Sequence, residues 1–158
     1  MPAQRPGSSV QEVATPPEFL DAVVAKFGPI VWDLAADASN HVVPGWFGPG
    51  SEFGEDSLAQ SWSLNNLGLL WLNPPYDSIR KFAEKCRAEA ARGAKIAMLI
   101  PASVATNWFA DLIHGVALVM PIRPRLMFVG HSAPYPKDLM LCCYNCGEPR
   151  FEPWRWGC

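Results

Sequence analysis

Short, uninterrupted apolar runs alternate along this chain with stretches of helical periodicity, and that alternation constrains the fold more than any other feature. The runs are Ile30 to Ala36, Leu67 to Leu72, Lys95 to Ile100, Val116 to Met120 and Leu139 to Tyr144, with a further extended segment at Arg125 to Val129. A strand apolar on both of its faces must be covered on both, so the pattern predicts an α/β domain with a parallel or mixed sheet and helices on both faces. The first helix is predicted from Thr15-Pro16-Pro17-Glu18, which has the spacing of a capping box with Pro at the first helical positions. Phe19, Leu20, Val23, Val24 and Phe27 follow at helical spacing, and Gly28 closes the segment. A second helix carries Ile79, Phe82, Ala83, Cys86 and Ala90 on one face and ends near Gly93; a third spans Val104 to His114. Ligands of such sheets sit at the carboxyl ends of the strands, where Asp33 to Asp37, Asn73 to Tyr76 and Pro101 to Ser103 converge. Residues 38–63 hold Gly45, Gly48, Gly50 and Gly54, a long irregular loop of the kind that is usually functional.

The length of 158 residues suits one domain, read as an arm over 1–12, a core over 13–146 and a Pro/Trp-rich tail over 147–158. With 49% apolar and 18% charged residues the chain is neither disordered nor fibrous. Its apolar runs fall well short of the ~20 residues that cross a bilayer, and its first residues lack the pattern of a signal peptide, so a cytoplasmic protein with no membrane partner is expected. The five cysteines are odd in number, which fits reduced thiols. Cys143-x-x-Cys146 is half of a zinc site, with Cys142, Cys158, His114 and His131 the only candidates to complete it; buried thiols are the alternative. Charge is segregated: residues 1–79 hold two bases and nine acids, whereas residues 80–158 hold eleven bases and six acids. Such a split can present a cationic face to a polyanion.

The tetrapeptide Asn73-Pro74-Pro75-Tyr76 carries the most chemistry. Two prolines fix the backbone and donate no hydrogen bonds, so the Asn73 amide oxygen and the carbonyls of Asn73 and Pro74 can be held as rigid acceptors. A planar amine donating to them is positioned and its lone pair made more available, while the Tyr76 ring offers a surface for stacking. This suits methylation of an exocyclic or amide nitrogen by a sulfonium donor. Other chemistries lack their motifs: G-x-G-x-x-G does not follow the first strand, no P-loop is present, and His41, His114 and His131 are scattered without a nucleophile elbow. Cys86 lies mid-helix rather than beside the tetrapeptide, so direct transfer without a covalent enzyme intermediate is expected.

The order and spacing of several pieces resemble the phage-type, Dam-like DNA N6-adenine methyltransferases. These pieces are Thr15-Pro16-Pro17-Glu18-Phe19-Leu20, Trp32-Asp33-Leu34-Ala35-Ala36, Trp46-Phe47, Asp56-Ser57-Leu58, Trp71-Leu72-Asn73-Pro74-Pro75-Tyr76, Met98-Leu99-Ile100-Pro101, Trp108-Phe109, Pro124-Arg125-Leu126-Met127-Phe128 and Ala133-Pro134-Tyr135-Pro136. The resemblance runs from about Thr15 to Tyr144, and departs from the family at Pro124 and Ser57, both usually Gly. It implies a Rossmann-like class I methyltransferase fold with a mostly parallel sheet, trimmed at one edge. It also implies S-adenosylmethionine as cofactor, S-adenosylhomocysteine as product, and no metal. Asn73, Pro74, Pro75 and Tyr76 then form the catalytic motif. Thr15, Pro16, Asp33, Ala35, Ala36, Asp56, Leu58 and Asn73 match the cofactor-binding positions, Asp33 toward the ammonium and Asp56 toward the adenine ring.

The implied partner is DNA, as a flipped adenine or a single strand. Arg80, Lys81, Lys85, Arg123, Arg125 and Lys137 flank the cleft in sequence and are the candidates for phosphate contacts, Arg125 with the added support of the resemblance. Base readout is expected from loops at Ser103 to Asn107 and Gly130 to Lys137, or from a second subunit in a homodimer, with a short recognition site. Methylation of a protein glutamine, because release-factor methyltransferases share Asn-Pro-Pro-Tyr, and a non-catalytic binding relic are the alternative readings. Among the tryptophans, Trp32, Trp71 and Trp108 are expected in the core, Trp46 and Phe47 can wall the cofactor pocket, and Trp154 and Trp156 either pack on the domain or stack on nucleic acid.

Overall fold

The structure, a computed structural model, describes residues 14–63 and 68–157. The expected arm, residue Leu67 and Cys158 lie outside the described residues. Helix α1 (Pro17–Phe27) leads into strand β1 (Ile30–Asp33), and a 3-10 turn at Ser57–Ala59 precedes β2 (Leu69–Leu72). Then come α2 (Ile79–Ala90), β3 (Ile96–Pro101), α3 (Asn107–Leu112), β4 (Leu118–Arg123), β5 (Leu139–Tyr144) and β6 (Trp154–Arg155). The six strands form one sheet in the order β1-β2-β3-β5-β4-β6.

The sheet is mixed. β1, β2 and β3 pair in parallel, but β5 runs antiparallel to both β3 and β4, and β6 pairs with β4 in parallel. β4 therefore shares the direction of β1 to β3, and those four strands end at one edge. Alternation along each strand splits the core in two. Leu70, Leu72, Ile96, Met98, Ile100, Met140 and Cys142 face α2 and α3, meeting Phe82, Cys86, Phe109 and Leu112. Leu69, Trp71, Ala97, Leu99, Leu118, Met120, Leu141 and Cys143 face α1, meeting Phe19, Val23 and Phe27. The α/β layering expected from the sequence is thus present, with helices on both faces.

Three details differ from the sequence reading and a fourth adds to it. The capping box does not form: Pro16 is the N-cap of α1 and no side chain caps it, because the helix starts beyond Thr15, which is buried. Arg125 to Val129 is loop rather than strand, although Leu126 and Phe128 are buried on the α1 side. The third helix is shorter than Val104 to His114, since the side chain of Thr106 caps Phe109 N at 3.3 Å and starts it there. Trp46 and Phe47 are buried structure beside β1: Phe47 N donates to Asp33 O at 2.9 Å, Asp33 N to Gly45 O at 3.0 Å, and Trp46 stacks on His41. Gly48 closes this segment at φ +146, where a Cβ would lie 1.7 Å from the Ala36 carbonyl oxygen.

The C-terminal stretch lies along β4. Glu152 N donates to Val119 O at 2.8 Å, Trp156 N to Arg123 O at 3.0 Å, and Trp156 Nε1 to Pro124 O at 2.7 Å. Trp154 and Trp156 pack against Phe19 at centroid distances of 5.9 and 5.3 Å, so both rings serve packing. Phe19 is fully buried and also meets Trp71 edge-on. Replacing Phe19 with Ala is expected to cost about 3–5 kcal/mol in chemical denaturation, whereas Val24→Ala on the exposed side of the same helix stays within about 1 kcal/mol.

Candidate active site

The carboxyl ends of β1, β2 and β3 and the N-terminal end of α1 share one edge of the sheet, because α1 returns into β1 through only Gly28 and Pro29. Thr15, Pro16, Asp33, Ala35, Ala36, Asn73 and Pro74 stand there, all buried. β2 is buried at all four positions, so Asn73 leaves it at a defined place, and Pro74-Pro75 then turn the chain into α2, with Ser78 N donating to Pro75 O at 3.0 Å.

Two atoms of this turn set its chemistry. Asn73 Oδ1 and the Tyr76 hydroxyl are buried and make no hydrogen bond to any described residue. No backbone amide of the described residues donates to the carbonyls of Asn73 or Pro74 either. A buried acceptor without a donor costs about 1–3 kcal/mol, a cost that a ligand N–H removes. Burial also pushes the Tyr76 phenol well above its usual range, so it stays neutral. The Tyr76 ring meets Tyr135 edge-on at 6.3 Å, and Tyr135 in turn meets Phe128. A cleft of about 310 Å³ opens beside them, walled by Tyr76, Ile79, Pro101, Trp108, Tyr135 and Lys137.

Asp33 is a buried carboxylate that organises the loop after β1. Its Oδ1 accepts from Ala35 N at 3.2 Å and its Oδ2 from Val42 N at 3.1 Å. Burial pushes its pKa up to about 7, against the lowering pull of the Val42 and Ala35 amides and of His41. Asp56 is exposed and caps the 3-10 turn, accepting from Leu58 N at 3.1 Å, while Leu58 packs on the α2 side of the core. No hydrogen bond joins Asp56 to Asp33 or Asn73 among the described residues.

The proposed basic residues fall into two groups. On α2, Arg80 pairs with Glu84 and Asp111, Lys85 pairs with Glu89 and lies over the Trp62 ring, and Lys81 is exposed. At the edge itself, Arg125 is bound to Asp138 at 2.9 Å and to Pro136 O, whereas Arg123 is exposed and Lys137 borders the cleft. Among the described residues no three metal-ligating side chains gather. Cys142 faces the other side of the sheet from Cys143 and Cys146, which removes it from the candidates to complete a site there.

Sequence reading missed Glu89, an acid in the last turn of α2. It is buried and accepts from Trp62 N and the Ser63 hydroxyl, which ties the loop before β2 to α2. Its only sequence signal is Lys85 one turn earlier. Trp108, expected in the core, is instead partly buried and forms a cleft wall.

Comparison with known proteins identifies the family. The profile of the family described as DNA N-6-adenine-methyltransferase (Dam) matches residues 5–139. The DNA N-6-adenine-methyltransferase of Escherichia phage T1 is 27% identical over 113 residues, covering 72% of this chain and 45% of that protein. The chain thus spans less than half the length of this curated relative.

Because the Asp33 pKa is raised on folding, its ionisation opposes the folded state. The contribution is favourable below pH about 4 and is lost as pH rises to about 7. The stability difference between the wild type and Asp33→Asn should therefore vary with pH between those values, by up to about 1.4 kcal/mol per pH unit, and flatten above the window. Urea denaturation across pH 4–8 checks this.

Proposed function

The chain belongs to the Dam family of DNA N-6-adenine methyltransferases, and from that premise we propose that it methylates the exocyclic N6 of adenine in DNA by direct transfer from S-adenosylmethionine. The observation that carries the reading is the unpartnered Asn73 Oδ1 at the end of β2, three residues before Tyr76, whose ring walls the cleft. An unpaired acceptor oxygen of this kind suits an amine that donates its protons, and adenine N6 is such an amine.

Five strands of one direction with a single reversed neighbour fit the Rossmann-like class I methyltransferase arrangement, which we adopt as the fold reading. S-adenosylmethionine, when bound, supplies an electrophilic methyl group on a sulfonium. The residues fit it: Thr15 and Pro16 place the N-terminal end of the α1 dipole toward a carboxylate, and Ala35 and Ala36 leave room for close backbone approach. Asp33 keeps acceptor capacity for the ammonium beyond its two amide bonds, and exposed Asp56 is available to an adenine amino group, with Leu58 packing beside it.

Adenine enters the cleft unstacked, against Tyr76 and Tyr135. Asn73 and the Pro74 carbonyl would hold N6 and stabilise the positive charge it gains as the N–CH3 bond forms and the sulfonium S–CH3 bond breaks with its electron pair left on sulfur, the N6 proton then leaving to water. No thiol takes part: Cys86 is fully buried on the core face of α2, where burial pushes its pKa well up. Arg123, Arg125 and Lys137 contact DNA phosphates at this edge, with Arg80, Lys81 and Lys85 further along α2. Loops 103–107 and 130–137, or a second copy of the chain, read the bases.

Radiolabelled methyl transfer to adenine-containing DNA, with a glutamine peptide as the competing substrate, tests the proposal. Label in adenine is the expected result; label in the peptide alone, or none, overturns it. Asn73→Ala is expected to lower turnover by about 10²–10³-fold while S-adenosylhomocysteine binding by calorimetry changes only a few-fold. Tyr76→Ala should lower turnover far more than Tyr76→Phe, because the ring rather than the hydroxyl carries stacking.

A further inference from the structure

β6 places Arg155 directly beside Arg123. The two strands run in parallel with Ile122 opposite Trp154 and Arg123 opposite Arg155. Ile122 is buried on the α1 side and Trp154 packs against the same cluster, so the next residue on each strand projects to the other face. The two arginines thus stand side by side on neighbouring strands, about 4.8 Å apart along the sheet. Both are exposed, and among the described residues neither makes an ion pair or a side-chain hydrogen bond.

Like charges directly opposite one another in a sheet are destabilising unless an anion lies between them. Here the pair is built rather than incidental. Arg155 is held between Trp154, locked against Phe19 and Phe27, and Trp156, bonded to Arg123 O and Pro124 O. Four other cations of this half of the chain have acidic partners, Arg80 with Asp111, Lys85 with Glu89, Arg125 with Asp138 and Arg150 with Glu152, whereas Lys81, Arg92 and Lys137, like the two arginines, have none among the described residues. The arginine pair lies at the carboxyl end of β4, the same edge as the cleft, and on the sheet face that α3 covers.

We propose that Arg123 and Arg155 together form a clamp for a DNA backbone phosphate adjoining the methylation cleft. This rests on the DNA methyltransferase reading above and adds to it a residue from the C-terminal strand. Two guanidinium forks converging on one phosphate supply parallel charge-assisted hydrogen bonds, and the phosphate relieves the repulsion between them. The contact positions the strand and reads no bases.

Fluorescence anisotropy of the full chain with a labelled DNA duplex, titrated between ~50 and ~200 mM salt, tests the clamp. Arg155→Gln and Arg123→Gln should each weaken binding several-fold, and the double variant should lower the slope of log affinity against log salt by about one. Arg155→Lys should keep most of the slope, and thermal melting should show each variant folded. An unchanged slope in the double variant, with the wild type binding normally, overturns the clamp alone. So does an Arg155→Lys variant whose salt slope falls as far as that of Arg155→Gln, because the charge it keeps would then not be what meets the phosphate. A wild type that binds no DNA at any salt overturns both the clamp and the reading on which it rests.

Discussion

Strand β2 is held on both edges and both faces, and the chemistry at its end depends on that grip. Parallel partners flank it, Leu70 and Leu72 are packed under α2, and Leu69 and Trp71 are packed under α1. With four buried residues fixed, the next residue has little freedom, and Pro74-Pro75 remove most of what is left. An orphaned acceptor such as Asn73 Oδ1 survives at such a place because the surrounding core outweighs its cost. A turn on a looser element would relax until the oxygen found a donor.

The parts of the fold legible in the sequence are those set by local apolar pattern. The runs at Ile30, Leu69, Ile96 and Leu139 become strands, and the helical faces of Phe19, Val23 and Phe27 and of Phe82, Ala83 and Cys86 become buried. Strand direction was not legible, since Leu139 to Tyr144 is buried at every position and reads the same in either sense. Nor was the docking of β6: alternation of Trp154, Arg155 and Trp156 signals one wet and one packed face over too few residues to name a partner strand. At the site, Asn73 and its prolines were legible because their chemistry is local. The ties of Asp33 to Val42 and of Glu89 to Trp62 and Ser63 were not, because each depends on where a distant loop returns.

The uneven charge along the sequence acquires a meaning once the pairs are placed. Most cations of α2 are consumed within the α2 and α3 layer, where Arg80 reaches Asp111 and Arg87 donates to the Asp111 carbonyl. Arg80 and Lys85 must exchange these partners to reach a phosphate, whereas Lys81 is exposed. Cationic surface is left at the edge where β4 and β6 end, next to the aromatic cleft. A basic half-chain is therefore weaker evidence for where a polyanion docks than the ion-pair pattern within it.

The reversal of β5 explains why the cleft has a second wall. Had β4 and β5 been parallel, their connection would have crossed a face of the sheet and entered β5 from the opposite edge. Because β5 is antiparallel, residues 124–138 begin and end at the edge where Asn73 lies. The segment is braced there from below by Leu126 and Phe128 in the core, from within by Tyr135 N on Leu126 O at 2.7 Å, and at its side by Val129 N on Ala14 O. Arg125 and Asp138 close its base. A long loop that carries its own packing holds Tyr135 and Lys137 against Tyr76 without a helix to position them. The antiparallel strand is thus what gives the cleft its second aromatic wall.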